Sequence, residues 1–153
     1  MPAAALCAHL ASDELRELAI PEECVLEAFH GPALALPRCR DCGRPALLEL
    51  VDASPERASR LYSLAGLEPR DAELFLRNTR HGSCDLARRA RELQALLACA
   101  GPRERLLAID PATRQVLRAA ARPAGLLLPT GPWRERRLGA REARAFDGGA
   151  PET

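Results

Sequence analysis

Apolar residues crowd into short dense runs over the first 65 positions and then recur at helical spacing. Residues 24–29, Cys-Val-Leu-Glu-Ala-Phe, read as a strand, and Ala33-Leu34-Ala35-Leu36 reads as a second one across a turn at His30-Gly31-Pro32. Leu47-Leu48-Glu49-Leu50-Val51 has the same character. Ser59-Arg60-Leu61-Tyr62-Ser63-Leu64 alternates polar and apolar, the period of a half-buried strand. A helix over 54–65 competes, because Ser54-Pro55-Glu56 is a good helix start. The strand is preferred, since it completes a three-stranded antiparallel ribbon.

Elsewhere the period is helical. Ser12 has the character of an N-cap, with Asp13 and Glu14 in the first turn. Leu15, Leu18 and Ala19 then share one face of a short helix that Pro21 ends. Pro69 opens a helix reaching about Asn78, and Leu74, Phe75 and Leu76 are its apolar residues. A further helix starts behind Ser83 and runs to Cys99, where Gly101-Pro102 stops it. Leu86, Ala90, Leu93 and Leu97 form its apolar stripe. Leu106–Ile109 and Gln115–Leu117 flank the turn Asp110-Pro111-Ala112-Thr113 as a second hairpin, and Leu126-Leu127-Leu128 suits an edge strand.

The expected fold is α+β. A small antiparallel, zinc-ribbon-like β unit over 24–64 packs with a helical pair at 69–99, and a second β-hairpin lies near 106–118. Residues 1–128 form one domain, and 129–153 form a Pro/Arg/Gly-rich C-terminal tail that is partly disordered.

Composition adds little to the fold but narrows the function. The chain has 153 residues, enough for one proper core and short for two domains. Aromatic residues are 3 %, too few for a run of base-stacking platforms. All 22 basic residues are arginines. Residues 1–76 hold 7 arginines against 13 acids, net −6, and residues 77–153 hold 15 against 8, net +7. Such asymmetry suits a basic face for an anionic partner, or two halves that attract each other. No apolar stretch approaches the ~20 residues of a membrane span, and the N-terminus lacks the basic region of an export signal. The expected location is the reducing cytoplasm, where cysteines serve as ligands, nucleophiles or small hydrophobes rather than disulfides.

The chemistry gathers around Cys39-Arg40-Asp41-Cys42-Gly43. Two cysteines with two residues between them can turn both sulfurs toward one tetrahedral ion, and Gly43 suits the tight turn that follows. Cys7-Ala8-His9 supplies a second chelating pair, so the metal site is assigned to Cys39, Cys42, Cys7 and His9, with structural zinc as the cofactor. His81 with Cys84, or Cys24 with His30, are alternative second pairs. Over these residues alone, C-x-H-L followed by C-x-x-C-G is similar to ubiquitin-binding-type zinc fingers. The remaining cysteines and histidines of that family are absent, so the likeness implies nothing further.

Two other chemistries are weighed. Cys84 in the first turn of a helix, with His81 three residues earlier, has the minimum parts of a thiol nucleophile or redox sensor, though Asp85 opposes its thiolate and no third group orients His81. Arg88, Arg89, Arg91, Arg134, Arg136 and Arg137 can neutralise phosphates, giving a nucleic-acid binder as the alternative. No phosphate-binding loop, dinucleotide fingerprint or H-E-x-x-H is present. The leading expectation is a non-enzymatic binding or adaptor protein whose partner is another protein.

Overall fold

In the computed structural model, which describes residues 4–55, 57, 59–80 and 86–146, one antiparallel sheet runs through the whole molecule. Its strands are β1 (Val25–Ala28), β2 (Pro32–Ala35), β3 (Ala46–Asp52), β4 (Arg60–Gly66), β5 (Arg105–Ile109) and β6 (Val116–Ala121). They lie side by side in chain order. The helices α1 (Pro69–Arg80) and α2 (Leu86–Cys99) are inserted between β4 and β5, and α3 (Ala140–Phe146) follows the sheet. The protein is α+β, and residues 60–66 are strand rather than helix. The ribbon and the second hairpin are parts of the same sheet, because β4 pairs with β5 from Arg60↔Ile109 to Leu64↔Arg105.

The sheet is covered on both faces, which explains why β2 is apolar throughout and β3 is interrupted within 46–51 only by Glu49. On one face Ala35, Leu48, Leu50, Tyr62, Leu64, Leu107 and Ile109 pack with Leu10 and Leu18 of the N-terminal segment. On the other, Leu34, Leu47 and Ala65 meet Ala72 and Phe75 of α1 and Leu96 of α2. Further along that second face, Val51, Leu61, Leu106 and Ala108 meet Leu138 and Phe146. Leu138 and Phe146, from the stretch expected as a tail, are therefore part of the core; residues 147–153 lie outside the described residues.

Two other expectations differ from the structure. Residues 12–20 are not helical. Ser12 begins a turn, accepting the Glu14 N–H at 3.0 Å, but the chain then runs extended and the Arg16 carbonyl accepts the Val116 N–H at 3.0 Å. A helix would have consumed that carbonyl and gathered Leu10, Leu15 and Leu18 onto one stripe, when they are needed along a sheet face. Leu126–Leu128 is not a strand. Gly125 takes φ +81°, and Arg122 Nε donates to the Leu126 carbonyl at 2.9 Å, folding this stretch into a turn. The first turn of the helix expected after Ser83 lies outside the described residues.

Arg136 joins the last segment to the sheet. Its Nη1 donates to Glu49 Oε2 at 2.8 Å and to the Leu50 carbonyl at 3.1 Å, and its Nε donates to the Gly131 carbonyl at 3.0 Å. The guanidinium also lies 4.0 Å from the centre of the Trp133 ring. Glu49 sits between the two apolar clusters of this face and also faces Arg103, at 3.5 Å.

Candidate metal centre

The loop from β2 to β3 folds back on itself. Ala46 donates to the Pro37 carbonyl at 2.9 Å, Cys39 to Arg44 at 2.8 Å, and Gly43 to Cys39 at 2.8 Å. The last turn needs Gly43 at φ +74°, in the left-handed region that glycine enters without steric penalty. With the loop closed, the N–H groups of Asp41 and Cys42 point at Cys39 Sγ. The knuckle is thus built mainly by backbone hydrogen bonds, with Arg38 Nη1 also donating to the Gly43 carbonyl at 3.2 Å, and it projects Cys39 inward and Cys42 outward.

The second pair arrives from the far end of the segment. Ala4 and Ala5 pass the end of β4, where two glycines stand, one closing that strand and one shortly before β5. A Cβ on Gly66 would lie 2.5 Å from the Ala5 carbonyl carbon, and one on Gly101 would lie 2.2 Å from the Ala4 oxygen. Real Cβ atoms do not approach backbone so closely, so both positions require glycine. Immediately afterwards the chain turns, Ala11 donating to the Cys7 carbonyl at 3.0 Å and the Leu10 N–H reaching Cys7 Sγ at 3.4 Å. Leu10 is buried under the sheet and holds the turn down.

The outcome is convergence. One ligand atom each from Cys7, His9, Cys39 and Cys42 lies within 4.8 Å of every other. Thiolates bound tetrahedrally to zinc at ~2.3 Å stand about 3.8 Å apart, so small side-chain adjustments suffice to close the shell. Cys7 and Cys39 are buried; His9 and Cys42 are exposed. Cys24 and His30 are not in the cluster, and among the described residues no other group of this kind converges. The alternative pair His81 and Cys84, and with it the thiol-nucleophile site, lies outside the described residues.

Electrostatics within the cluster are uneven. Burial pushes the Cys7 thiol up to about 11, and the neighbouring Cys39 and Cys42 push the same way, while the Leu10 N–H opposes them. For Cys39 burial also works against the thiolate. The N–H groups of Cys42 and Asp41, followed by the neighbouring thiols, outweigh it and bring its pKa below the ordinary value. Cys39 is therefore the acceptor that the others surround. A divalent cation there would displace the remaining thiol protons.

Few other contacts tether the segment to the knuckle. Arg40 and Glu17 pair across the gap at 3.1 Å, but both side chains are mostly exposed, and such pairs contribute little. Two of the arginines read as a phosphate-binding set, Arg89 and Arg136, are engaged inside the protein, while Arg88 pairs on the surface of its own helix and Arg91, Arg134 and Arg137 are exposed. Arg89 donates to the Leu26 carbonyl and faces Glu27 at 3.6 Å, Arg88 pairs with Glu92 at 3.2 Å, and Arg136 is buried on Glu49. No helix among the described residues is long and apolar enough to cross a membrane.

Comparison with protein-family models, with curated proteins and with solved structures finds no match to this chain.

Reasoning from sequence paired the four candidate ligands but missed what positions them. Gly66, Gly101 and Leu10 do this work, and nothing local marks them: two are glycines at element ends and one is a leucine in a turn.

Proposed function

We propose that this chain is a non-enzymatic binding or adaptor module whose fold is locked by one structural zinc ion on Cys7, His9, Cys39 and Cys42. The observation that carries the reading is the meeting of four soft and borderline donors from two segments 30 residues apart in sequence, within 4.8 Å. Three sulfurs and one imidazole suit zinc better than magnesium or calcium, which take oxygen ligands. Four protein donors leave no open position for water or substrate, which favours a structural over a catalytic ion. Free thiols at these positions fit a reducing cytoplasm. A metal that only cross-links leaves the surfaces of the module to act, and the expected partner is another protein.

Elemental analysis of the purified chain tests the metal. About one zinc per chain is expected, lost in Cys39→Ser together with stability. A wild-type chain that binds no metal when zinc is supplied, and folds as well without it, overturns the reading. Titration of a labelled oligonucleotide at two salt concentrations tests the module's role. Binding that weakens steeply with salt would replace the protein partner by nucleic acid.

A further inference from the structure

A second cleft, of about 290 Å³, opens between the β1–β2 turn, the start of β4 and the β5–β6 hairpin. None of the four candidate metal ligands lines it. Its polar groups come from His30, Arg60, Tyr62, Asp110 and Arg114.

Arg60 is fixed before any ligand arrives. Its Nε donates to Tyr62 Oη at 3.0 Å, its Nη1 to the His30 carbonyl at 2.9 Å and its Nη2 to the Pro32 carbonyl at 3.2 Å. Tyr62 Oη in turn donates to the Pro32 carbonyl at 2.7 Å. All of these acceptors are neutral, so the charge of Arg60 is oriented but not cancelled. Of the five N–H bonds of a guanidinium, three are used in this way. Arg114 adds a second cation from the opposite wall and has no carboxylate partner among the described residues. The one acid, Asp110, is turned to its own hairpin, accepting the N–H groups of Ala112 at 2.8 Å and Thr113 at 3.2 Å.

The backbone sets this cleft apart as well. Among the described residues, two non-glycine positions hold left-handed φ, His30 at 53° and Arg114 at 64°, and both line it. Both are hairpin-turn positions, where the chain reversal itself calls for that conformation, and the two turns bring His30 and Arg114 to the rim of the cleft. Ile20, Ile109 and Pro111 complete the walls with apolar surface.

We infer that this cleft binds a small phosphate monoester with an apolar body no larger than a single ring. Asp110 keeps its charge while it accepts neutral N–H groups, so the two arginines leave the cleft at net +1; what suits a phosphate monoester is its three terminal oxygens, which can accept at once from Arg60, held in place on one wall, and from Arg114 on the other. A carboxylate offers only two acceptor oxygens. The volume lies at the lower limit of small-molecule pockets, roughly 300 Å³, so the body beyond the phosphate is short.

Calorimetric titration of the full chain with phenyl phosphate tests this. Saturable binding at one site per chain is expected, weakened about tenfold or more by Arg114→Asn, because a charge-assisted hydrogen bond is lost. Asparagine tolerates the left-handed region, so the thermal midpoint should not move. Arg134→Asn, at an exposed arginine elsewhere, should leave affinity unchanged. Should R114N fold poorly, His30→Asn provides the second reading, with at least about a threefold loss. Inorganic phosphate should bind more weakly than phenyl phosphate, and equal affinity overturns the monoester assignment. Absence of saturable binding, or binding that neither variant weakens, overturns the site.

Discussion

The two faces of the sheet are covered in opposite ways. Over one face lie α1, α2 and α3, whose backbone hydrogen bonds are satisfied internally and whose apolar stripes pack on Leu34, Leu47, Val51 and Leu106. Over the other lies the segment 4–20, which has no regular structure. It carries Leu10 and Leu18 onto the core, yet its backbone is tied down at few points. A helix can cover a sheet by its own rigidity. An irregular strap cannot, because each of its residues loses conformational entropy without a repeating hydrogen bond in return. The face with the irregular cover is the one where four candidate metal ligands converge, and a metal cross-link there would supply what the missing helix does not.

The faces should therefore fail separately. The largest effect is expected from Cys39→Ser or from stripping metal with a chelator: at least about 5 kcal/mol, given that structural zinc contributes roughly 10–16 kcal/mol in small metal-dependent domains. Hydrogen exchange checks where the loss falls. Amides of 4–20 and of the knuckle should exchange rapidly, while β4, β5 and α2 stay protected. Uniform exchange across both faces would erase the distinction.

Damage to the other face should leave the metal in place. Glu49→Ala strands the buried guanidinium of Arg136 and is expected to cost about 3 kcal/mol, the low end for a broken buried pair, because two carbonyls and Trp133 still hold the arginine. Urea unfolding reads the cost, and zinc content should remain at one per chain. Gly101→Ala attacks the strap without touching a ligand. Its Cβ would meet the Ala4 carbonyl oxygen at 2.2 Å, so a loss of about 2 kcal/mol and weaker metal retention against a competing chelator are expected.

The smallest effect concerns alkaline pH. Burial pushes the Cys24 thiol up to about 11, so its neutral form belongs to the folded state. The folded protein keeps this stability below the unfolded thiol's pKa, near 9, and loses it as pH rises toward 11. Between pH 8 and pH 10.5 the loss from this group should be about 2 kcal/mol. Cys24→Ala should flatten that part of the pH profile of the urea midpoint. An unchanged alkaline slope would show that Cys24 is not its source.

The strands of the first half were legible because a sheet covered on both faces must be mostly apolar along its length, and Leu47–Val51 satisfies that at four of five positions, Glu49 being the exception. The four candidate ligands were legible for a related reason. Chelation by two side chains from one short loop requires C-x-x-C or C-x-H spacing, and spacing is a local property. The strap was not legible. Ser12, Asp13 and Glu14 followed by leucines at helical spacing have every local mark of a helix, and they lose to the demands of the face they cover. Arg136 was read as a cation free to neutralise phosphate because its partner, Glu49, is 87 residues away in the chain.

By itself the sequence determined the periodic elements and the two chelating pairs, since hydrophobic period and ligand spacing are written over a few consecutive residues. Only the tertiary structure decided that the pairs meet, that β4 joins β5 into one sheet, and that residues 133–146 close the core. These depend on close approaches between distant backbones, at Gly66 and Gly101 above all, and on a buried charge finding its partner across the sheet.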